Sequence, residues 1–438
     1  MREETQVCIV GGGLIGMLCA YEASKAGLGV FLIDKNFAGR GDNAASVLFA
    51  HGENVALNEL LTAGHQGWID MQNELETPLG YHQKGVGLVA LTQDEAQNYA
   101  TQVGEGDVFF NIAEDITKAL GVHQIQEDLC GLLFEEKGAH IHANQLHEAL
   151  RQELIRRGVR VWGSDRVAEI IMRDGAVTGV KTTHDELVAE HTILCSGAWT
   201  GKLMAQLGLK LPLRPARNHS LELSVTGETP DFPIVYRLPQ GDIILRPLRN
   251  GRVLVSYSGL MDQEQATWRQ DVDYDTVKFI LQTIAKILPA YHHGKTSKTE
   301  ITTLAVTPDI LPFIGRVAAV DGLYVATGMN ASTFAFAPAV AKALVALIQK
   351  EQPTLNLEAF SPDRYIHLHQ KENSFAEQEA IIRETFGNLD TEQLEKKIIQ
   401  AKENHEKAKA EANKTFVGKE LKDNKEKVQH AKLEKNFK

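Results

Sequence analysis

Residues 7 to 35 constrain the fold of this chain more than any other stretch: Val-Cys-Ile-Val-Gly-Gly-Gly-Leu-Ile-Gly leads on to Phe-Leu-Ile-Asp-Lys. The apolar run Val7 to Val10 predicts a buried strand ending at Gly11-x-Gly13-x-x-Gly16, with a helix following as far as Ala26. Val30 to Ile33 predicts a second strand, which ends on Asp34. Each part has a physical task. Gly11 permits a tight turn, Gly13 lets backbone approach a pyrophosphate, and Gly16 lets the helix pack closely on the strand. Free N–H groups at the helix start, around Leu14 and Ile15, attract negative charge. Asp34 falls where an acid accepts the hydroxyls of an adenosine ribose. The pattern predicts dinucleotide binding, but it fixes only the adenosine diphosphate half of the ligand.

At 438 residues the chain can divide into two or more domains, and its net charge of −11 argues against nucleic acid or an anionic membrane surface as a main partner. No apolar run approaches membrane-spanning length, and Met1 to Gln6 leads straight into the first strand, so neither an integral membrane segment nor a signal peptide is expected. The four cysteines are scattered. Cys8 and Cys195 read as small core residues, and a cytoplasmic location is expected. No H-E-x-x-H pattern occurs. His140/His142 and His367/His369 alternate as strand or turn residues would, which predicts chance or surface placement and no metal.

The predicted fold class is α/β, with one discontinuous nucleotide-binding domain, Rossmann-like, built from residues 1–75, 142–215 and 300–370. Its later parts include a helix over Asn144 to Arg157 and strands at Val159 to Trp162, around Val167 to Val180, at Thr192 to Cys195 and at Leu323 to Ala326. A further helix is expected from Ala337 to Ile348. Residues 76–141 and 216–299 read as inserts forming an antiparallel-sheet substrate domain, with a hairpin turn at Asn250-Gly251. From 371 to 438, Lys, Glu, Ala, Gln and Asn dominate. That tail reads as solvated helix or partial disorder, or alternatively as a partner-binding or self-associating helix.

Other segments narrow the ligand. Gly39-Arg40-Gly41-Asp42-Asn43-Ala44-Ala45-Ser46 is followed by Ala50-His51-Gly52-Glu53, then by Ser196-Gly197-Ala198-Trp199, Leu211 to Pro215, Thr307-Pro308-Asp309 to Arg316, and Gly322 to Gly328. In that order and spacing the chain resembles the FAD-dependent amino acid oxidase family (D-amino acid oxidase), glycine oxidase-like members most closely, over about residues 1–370. The resemblance implies FAD. Lys35, Arg40, Gly41, Asp42, Ala44, Ala45 and Ser46 are then expected along the cofactor, with Ser196, Gly197 and Trp199 at a second close approach. Val167 is placed by its backbone at the adenine end, and Gly328, Met329, Asn330, Ala331, Ser332 and Thr333 along the isoalloxazine edge. Some relatives attach flavin through a cysteine late in the fold. Here the last cysteine is Cys195, so the cofactor is expected to be non-covalent.

The departures concern the substrate. The carboxylate-binding arginine of glycine oxidase-like members falls on Leu304, a second substrate-side arginine on Ala331, and the family tyrosine on Ile244. Thr333 and Ile310 stand where glycines are usual. A bidentate guanidinium has no hydrophobic equivalent, so an ordinary α-amino acid bound in the ordinary way is in doubt. Candidate substrate groups are Arg246, then Tyr236 and Arg237, with His51 at the flavin pocket. Arg246 equally reads as a surface arginine, and His51 as a packed supporting residue.

The expected activity is oxidation of an amine or modified amino acid by hydride transfer to flavin N5, with oxygen or another acceptor. A hydroxy-acid or polyol-phosphate oxidoreductase is one alternative. A flavin-binding protein without turnover, acting through a partner, is another.

Overall fold

The computed structural model describes residues 2–366 apart from 38–45, 53, 126–128, 226–227, 239–240, 249, 263–265 and 267–270. The chain begins β1 (Arg2–Val10), α1 (Leu14–Lys25), β2 (Val30–Ile33), β3 (Val47–Leu48), α2 (Val55–Glu74), β4 (Tyr81–His82) and β5 (Val86–Ala90). It continues α3 (Gln93–Thr101), β6 (Val108–Phe110), α4 (Ala113–Leu120), β7 (Gly131–Glu135), β8 (Ala139–Ile141) and α5 (Ala143–Arg156). Next come β9 (Arg160–Trp162), β10 (Val167–Arg173), β11 (Ala176–Thr182), β12 (Glu186–Leu194) and α6 (Thr200–Gln206). The second half holds β13 (Arg214–Ser224), β14 (Ile234–Tyr236), β15 (Ile243–Pro247), β16 (Arg252–Asp262) and α7 (Tyr274–Ala285). It closes with β17 (Lys295–Val306), β18 (Phe313–Arg316), β19 (Leu323–Thr327), α8 (Thr333–Ile348) and α9 (Asp363–Ile366).

The first sheet is ordered β10-β11-β12-β1-β2-β9, and β19 joins β12 and carries β18. The pairs β12–β1, β1–β2, β2–β9 and β12–β19 are parallel. β1 shows why its sequence is apolar at every position. Val7 and Ile9 enter the core shared with α1, α5 and α8, while Cys8 and Val10 face the opposite core. A parallel strand covered on both faces needs a continuous apolar run.

The second sheet is ordered β17-β13-β16-β15-β14-β5-β7-β6. It is antiparallel except where β14 pairs in parallel with β5, a departure from the purely antiparallel expectation. Its last strand runs to Val306, past the boundary expected at 299. The hairpin between β15 and β16 turns at Asn250 (φ 62°) and Gly251 (φ 67°), the left-handed pair that a tight hairpin uses. A small third sheet, β3-β8-β4, includes the strand that follows the 38–45 segment (β3) and the strand that leads into α5 (β8).

α8 begins at Thr333, four residues before the expected Ala337, and runs through Pro338. Proline removes the N–H that would bond the Phe334 carbonyl one turn back. The Trp68 indole N–H of α2 donates to that carbonyl instead, at 2.7 Å. α2 comes this close because it presents glycines: a Cβ at Gly64 would lie 1.8 Å from the Ala335 carbonyl oxygen, and one at Gly67 would lie 2.5 Å from the Pro338 Cβ. Among the described residues no helix is long and apolar enough to cross a membrane. The 371–438 tail, with His367 and His369, lies outside the described residues.

Candidate functional site

The turn from β1 into α1 forms a cradle. Gly11 has φ 108°, and a Cβ there would lie 2.5 Å from the Cys195 carbonyl oxygen. A Cβ at Gly16 would sit 1.8 Å from the Gly11 carbonyl oxygen, so α1 and the turn touch backbone to backbone. At Gly13, which is exposed, a Cβ would meet nothing within 4 Å, so the position is open. Gly13 caps α1 without a side-chain hydrogen bond, leaving first-turn N–H groups for an anion. Leu14 and Ile15 are buried behind the turn.

Asp34 stands at the end of β2. Its carboxylate accepts from the Gly12 N–H at 2.8 Å and the Asn36 N–H at 2.6 Å, which fixes it beside the cradle. Lys35 is exposed next to it. Two backbone bonds tie the same edge to the strands beyond: Asp34 N–H to the Trp162 carbonyl and Asp165 N–H to the Asp34 carbonyl. Val167 opens β10 two residues later and is half-buried. Ser196, Gly197 and Trp199 form the turn after β12. Gly197 has φ 53°, its carbonyl accepts from Thr327 Oγ1 at 2.9 Å, and Ser196 Oγ bonds Thr200 Oγ1 at 3.0 Å. Arg40, Gly41, Asp42, Ala44 and Ala45 lie outside the described residues, and Ser46, buried, is where the chain resumes.

The segment after β19 begins at Gly328 (φ 71°), passes buried Met329 and reaches Asn330 (φ 50°). Asn330 ties it to the Thr307-Pro308-Asp309 segment, accepting from the Thr307 N–H at 3.1 Å and donating to the Ile310 carbonyl at 2.6 Å. Ala331 is exposed, Ser332 caps α8 without a side-chain bond, and Thr333 is the first residue of that helix. Asp309 forms a two-point pair with Arg364, which gives this motif a structural use. Ile310 holds φ 63°, a conformation hostile to a β-branched residue. The strain is about 1–3 kcal/mol, partly offset in a glycine variant by a floppier unfolded chain. Ile310→Gly should therefore raise the thermal midpoint by roughly 1–3 °C; a lower midpoint would show that Ile310 is not strained.

The second sheet has two unlike faces. Leu221, Leu223, Ile243, Leu245, Val253 and Val255 point into an apolar core with α7. The other face carries Asn218, Ser220, Ser256 and Arg246, all buried. Register places Ile244 beside Ser256 and Ser256 beside Ser220, while Leu304 and Thr302 pair with Ala216 and Asn218, so Ile244, Leu304 and Arg246 share that face. Asn218 organises it, accepting from Ser256 Oγ at 3.0 Å.

Arg246 is 4% exposed, and its Nη1 meets His142 Nδ1 at 3.0 Å. His82, His140 and His142 stand with ring centroids 5.0 to 5.6 Å apart. His140 is 4% exposed, which corrects the expected surface placement: pairing with Val47 on one side and His82 on the other buries it. Burial holds the His140 imidazole down to about 3, helped by the positive charges of Arg246, His82, His142 and Lys84. Burial likewise lowers Arg246 to about 10. Sequence alternation could not reveal this group, because its members meet through two strand pairings and a partner far along the chain. Among the described residues, no group of three His, Cys, Asp or Glu side chains is placed to hold a metal ion.

The other candidates lie apart. Tyr236 packs against the apolar core on the opposite face from Ile244 and Arg246. Arg237 lies over the Phe49 ring at 5.3 Å. His51 is partly exposed and its Nε2 meets the buried Asp107 carboxylate at 2.8 Å, while the Ala50 N–H donates to the buried Glu135 carboxylate. Burial pushes the Glu135 carboxyl up.

The family model described as FAD dependent oxidoreductase (DAO) matches residues 6–347. An uncharacterized oxidoreductase of Bacillus subtilis, YurR, is 24% identical over 382 residues, 81% of this chain and 97% of the relative. The glycine oxidase of Pseudomonas aeruginosa is 25% identical over 379 residues, 82% of this chain and 98% of the relative. Among solved structures, L-proline dehydrogenase from P. horikoshii superposes with a TM-score of 0.74 at 19% identity, over 83% of this chain and 98% of that one, a likeness of fold. The cradle fits FAD: Gly11 and Gly16 admit no Cβ, Gly13 is open, and the first-turn N–H groups of α1 could meet a phosphate. Cys195, the last cysteine, is buried at the end of β12, so no later thiol exists for covalent attachment. The chain belongs to the DAO family of FAD-dependent oxidoreductases, with FAD as its non-covalently held cofactor.

Proposed function

We propose that the protein oxidises an amine or a modified amino acid, passing the electrons on to oxygen or another acceptor. Bound in the cradle, FAD supplies the two-electron acceptor for such a reaction. The observation that carries the reading is the buried polar face of the second sheet, Asn218, Ser220, Ser256 and Arg246, in a fold that provides the FAD cradle. Gly11, Gly13, Gly16 and Asp34 would hold the adenosine diphosphate end, and the 328–333 segment with the open first turn of α8 would meet the ring end. The sheet face would orient the substrate and exclude water, and amine oxidation asks little more of protein side chains. The names of the relatives, glycine oxidase and L-proline dehydrogenase, support an amine-bearing substrate. Leu304 and exposed Ala331 argue against an ordinary α-amino acid held by its carboxylate at those positions. We also assign the protein to the cytoplasm, a reading favoured by four cysteines of which none forms a disulfide.

Anaerobic mixing of the purified holoprotein with panels of amines, D- and L-amino acids and hydroxy acids tests this. A substrate bleaches the flavin, and bleaching by an amine or modified amino acid is expected. Bleaching by hydroxy acids alone would transfer the site to CH–OH donors, and bleaching by none would contradict turnover.

A further inference from the structure

The group around Arg246 is electrostatically incomplete. Arg246 Nη1 is taken by His142, but Nε is buried with no partner, and His140 Nδ1 is buried and equally unpartnered. Burial is what lowers the arginine, and among the described residues no acid pairs with it; the charges acting on His140 are those of Arg246, His82, His142 and Lys84. A guanidinium removed from water with no anion beside it is costly, and such groups are ordinarily paired. The edge of the Arg246 fork that carries the unpartnered Nε, with its neighbouring Nη2, has the geometry to match a planar two-oxygen acceptor. His82 and His142 are only half-buried, so the group is reachable from their side.

The place of the group in the fold says whose anion it is. Val47 of β3 pairs directly with His140, and the Ser46 carbonyl accepts from the Ile141 N–H at 2.9 Å, so the histidine strand is bonded to the segment that resumes after 38–45. Ile244 precedes Arg246 by two residues on the same face of β15. That spacing puts Arg246 roughly 7 Å further along the strand.

We propose that Arg246, with His140, His142 and His82 around it, binds the anionic group of the substrate, a carboxylate or a phosphate, in place of the arginines absent at Leu304 and Ala331. The inference rests on the amine-oxidising reading for the word substrate, but the anion site itself is measurable without turnover.

The test uses the FAD-loaded protein, so that the cradle cannot compete, titrated calorimetrically and by flavin absorbance with sodium acetate and with inorganic phosphate. Saturable binding is expected in the native protein. The tighter of the two ligands assigns the group as carboxylate or phosphate ester. Arg246→Met should weaken that binding about tenfold or more with flavin content unchanged, the loss expected for a charge-assisted hydrogen-bonded pair. Because truncating a buried arginine can unfold the domain, Arg246→Lys and His140→Asn are measured beside it. The lysine keeps the charge without the fork, and both should weaken the anion several-fold while FAD stays bound. An anion affinity unchanged in Arg246→Lys and His140→Asn, or absent in the native protein, would overturn the site whatever the amine panels show. If anion binding behaves as expected while no amine bleaches the flavin, the site stands and the amine-oxidising reading fails.

Discussion

Gly16→Ala should cost this protein its flavin. The added methyl would sit 1.8 Å from the Gly11 carbonyl oxygen, where real contacts need more than 3 Å, and the atom it meets is backbone with no rotamer to yield. Relief requires α1 to move away from β1 by more than an ångström. That move disturbs the N–H groups proposed to hold the pyrophosphate, and it opens the core formed by Ile9, Leu18 and Tyr21. Overpacking of this kind costs about 1–3 kcal/mol and sometimes more. Since the displaced turn is itself the proposed binding surface, flavin content should fall further than stability. Absorbance at the flavin bands against total protein gives the readout, with thermal unfolding alongside. A variant with native flavin content would mean the helix and turn are not in contact as described.

Gly64→Ala should be nearly as damaging, although it lies outside the cradle. Its Cβ would fall 1.8 Å from the Ala335 carbonyl oxygen, wedging α2 from α8 where Trp68 reaches the Phe334 carbonyl. Losing that hydrogen bond leaves a buried carbonyl orphaned next to proline, a penalty of about 1–3 kcal/mol beyond the steric cost. The unfolding midpoint should drop by roughly 5 °C or more. Because α8 starts at Thr333, directly after the Met329 to Ser332 segment, flavin affinity should fall with it. Gly201→Ala in α6 is the control: its Cβ would meet only Leu211 O at 3.7 Å, and a helical glycine replaced by alanine gains up to about 1 kcal/mol. Equal effects at Gly64 and Gly201 would rule out the helix contact as the cause.

What the sequence discloses follows from how local each constraint is. The β1-turn-α1-β2 unit is legible because its glycines, strands and acid follow one another within a short stretch and Gly16 answers to the Gly11 carbonyl, although Gly11 itself also packs on the distant Cys195 carbonyl. Asp34 completes that unit by bonding back to Gly12. The start of α8 is not legible. Ser332 offers no side-chain cap and Pro338 reads as an obstacle, while the partner that removes the obstacle, Trp68, stands 266 residues away from Phe334. The histidine group is hidden for the same reason: alternation at His140 and His142 says that the two side chains share one face, not whether that face is covered. What covers them is set by the pairing of β8 with β3 and β4 and by Arg246, 104 residues from His142. Thr307-Pro308-Asp309 stands out as a motif, yet only the pair with Arg364 explains its aspartate.

The central claim is that residues 11 to 34 hold the adenosine diphosphate end of FAD, and the absorption spectrum of the purified protein tests it most directly. The account predicts the two-banded spectrum of oxidised flavin, with about one FAD released per chain on denaturation, as expected for a cofactor without covalent attachment. A colourless protein that takes up no FAD when it is supplied would contradict the account.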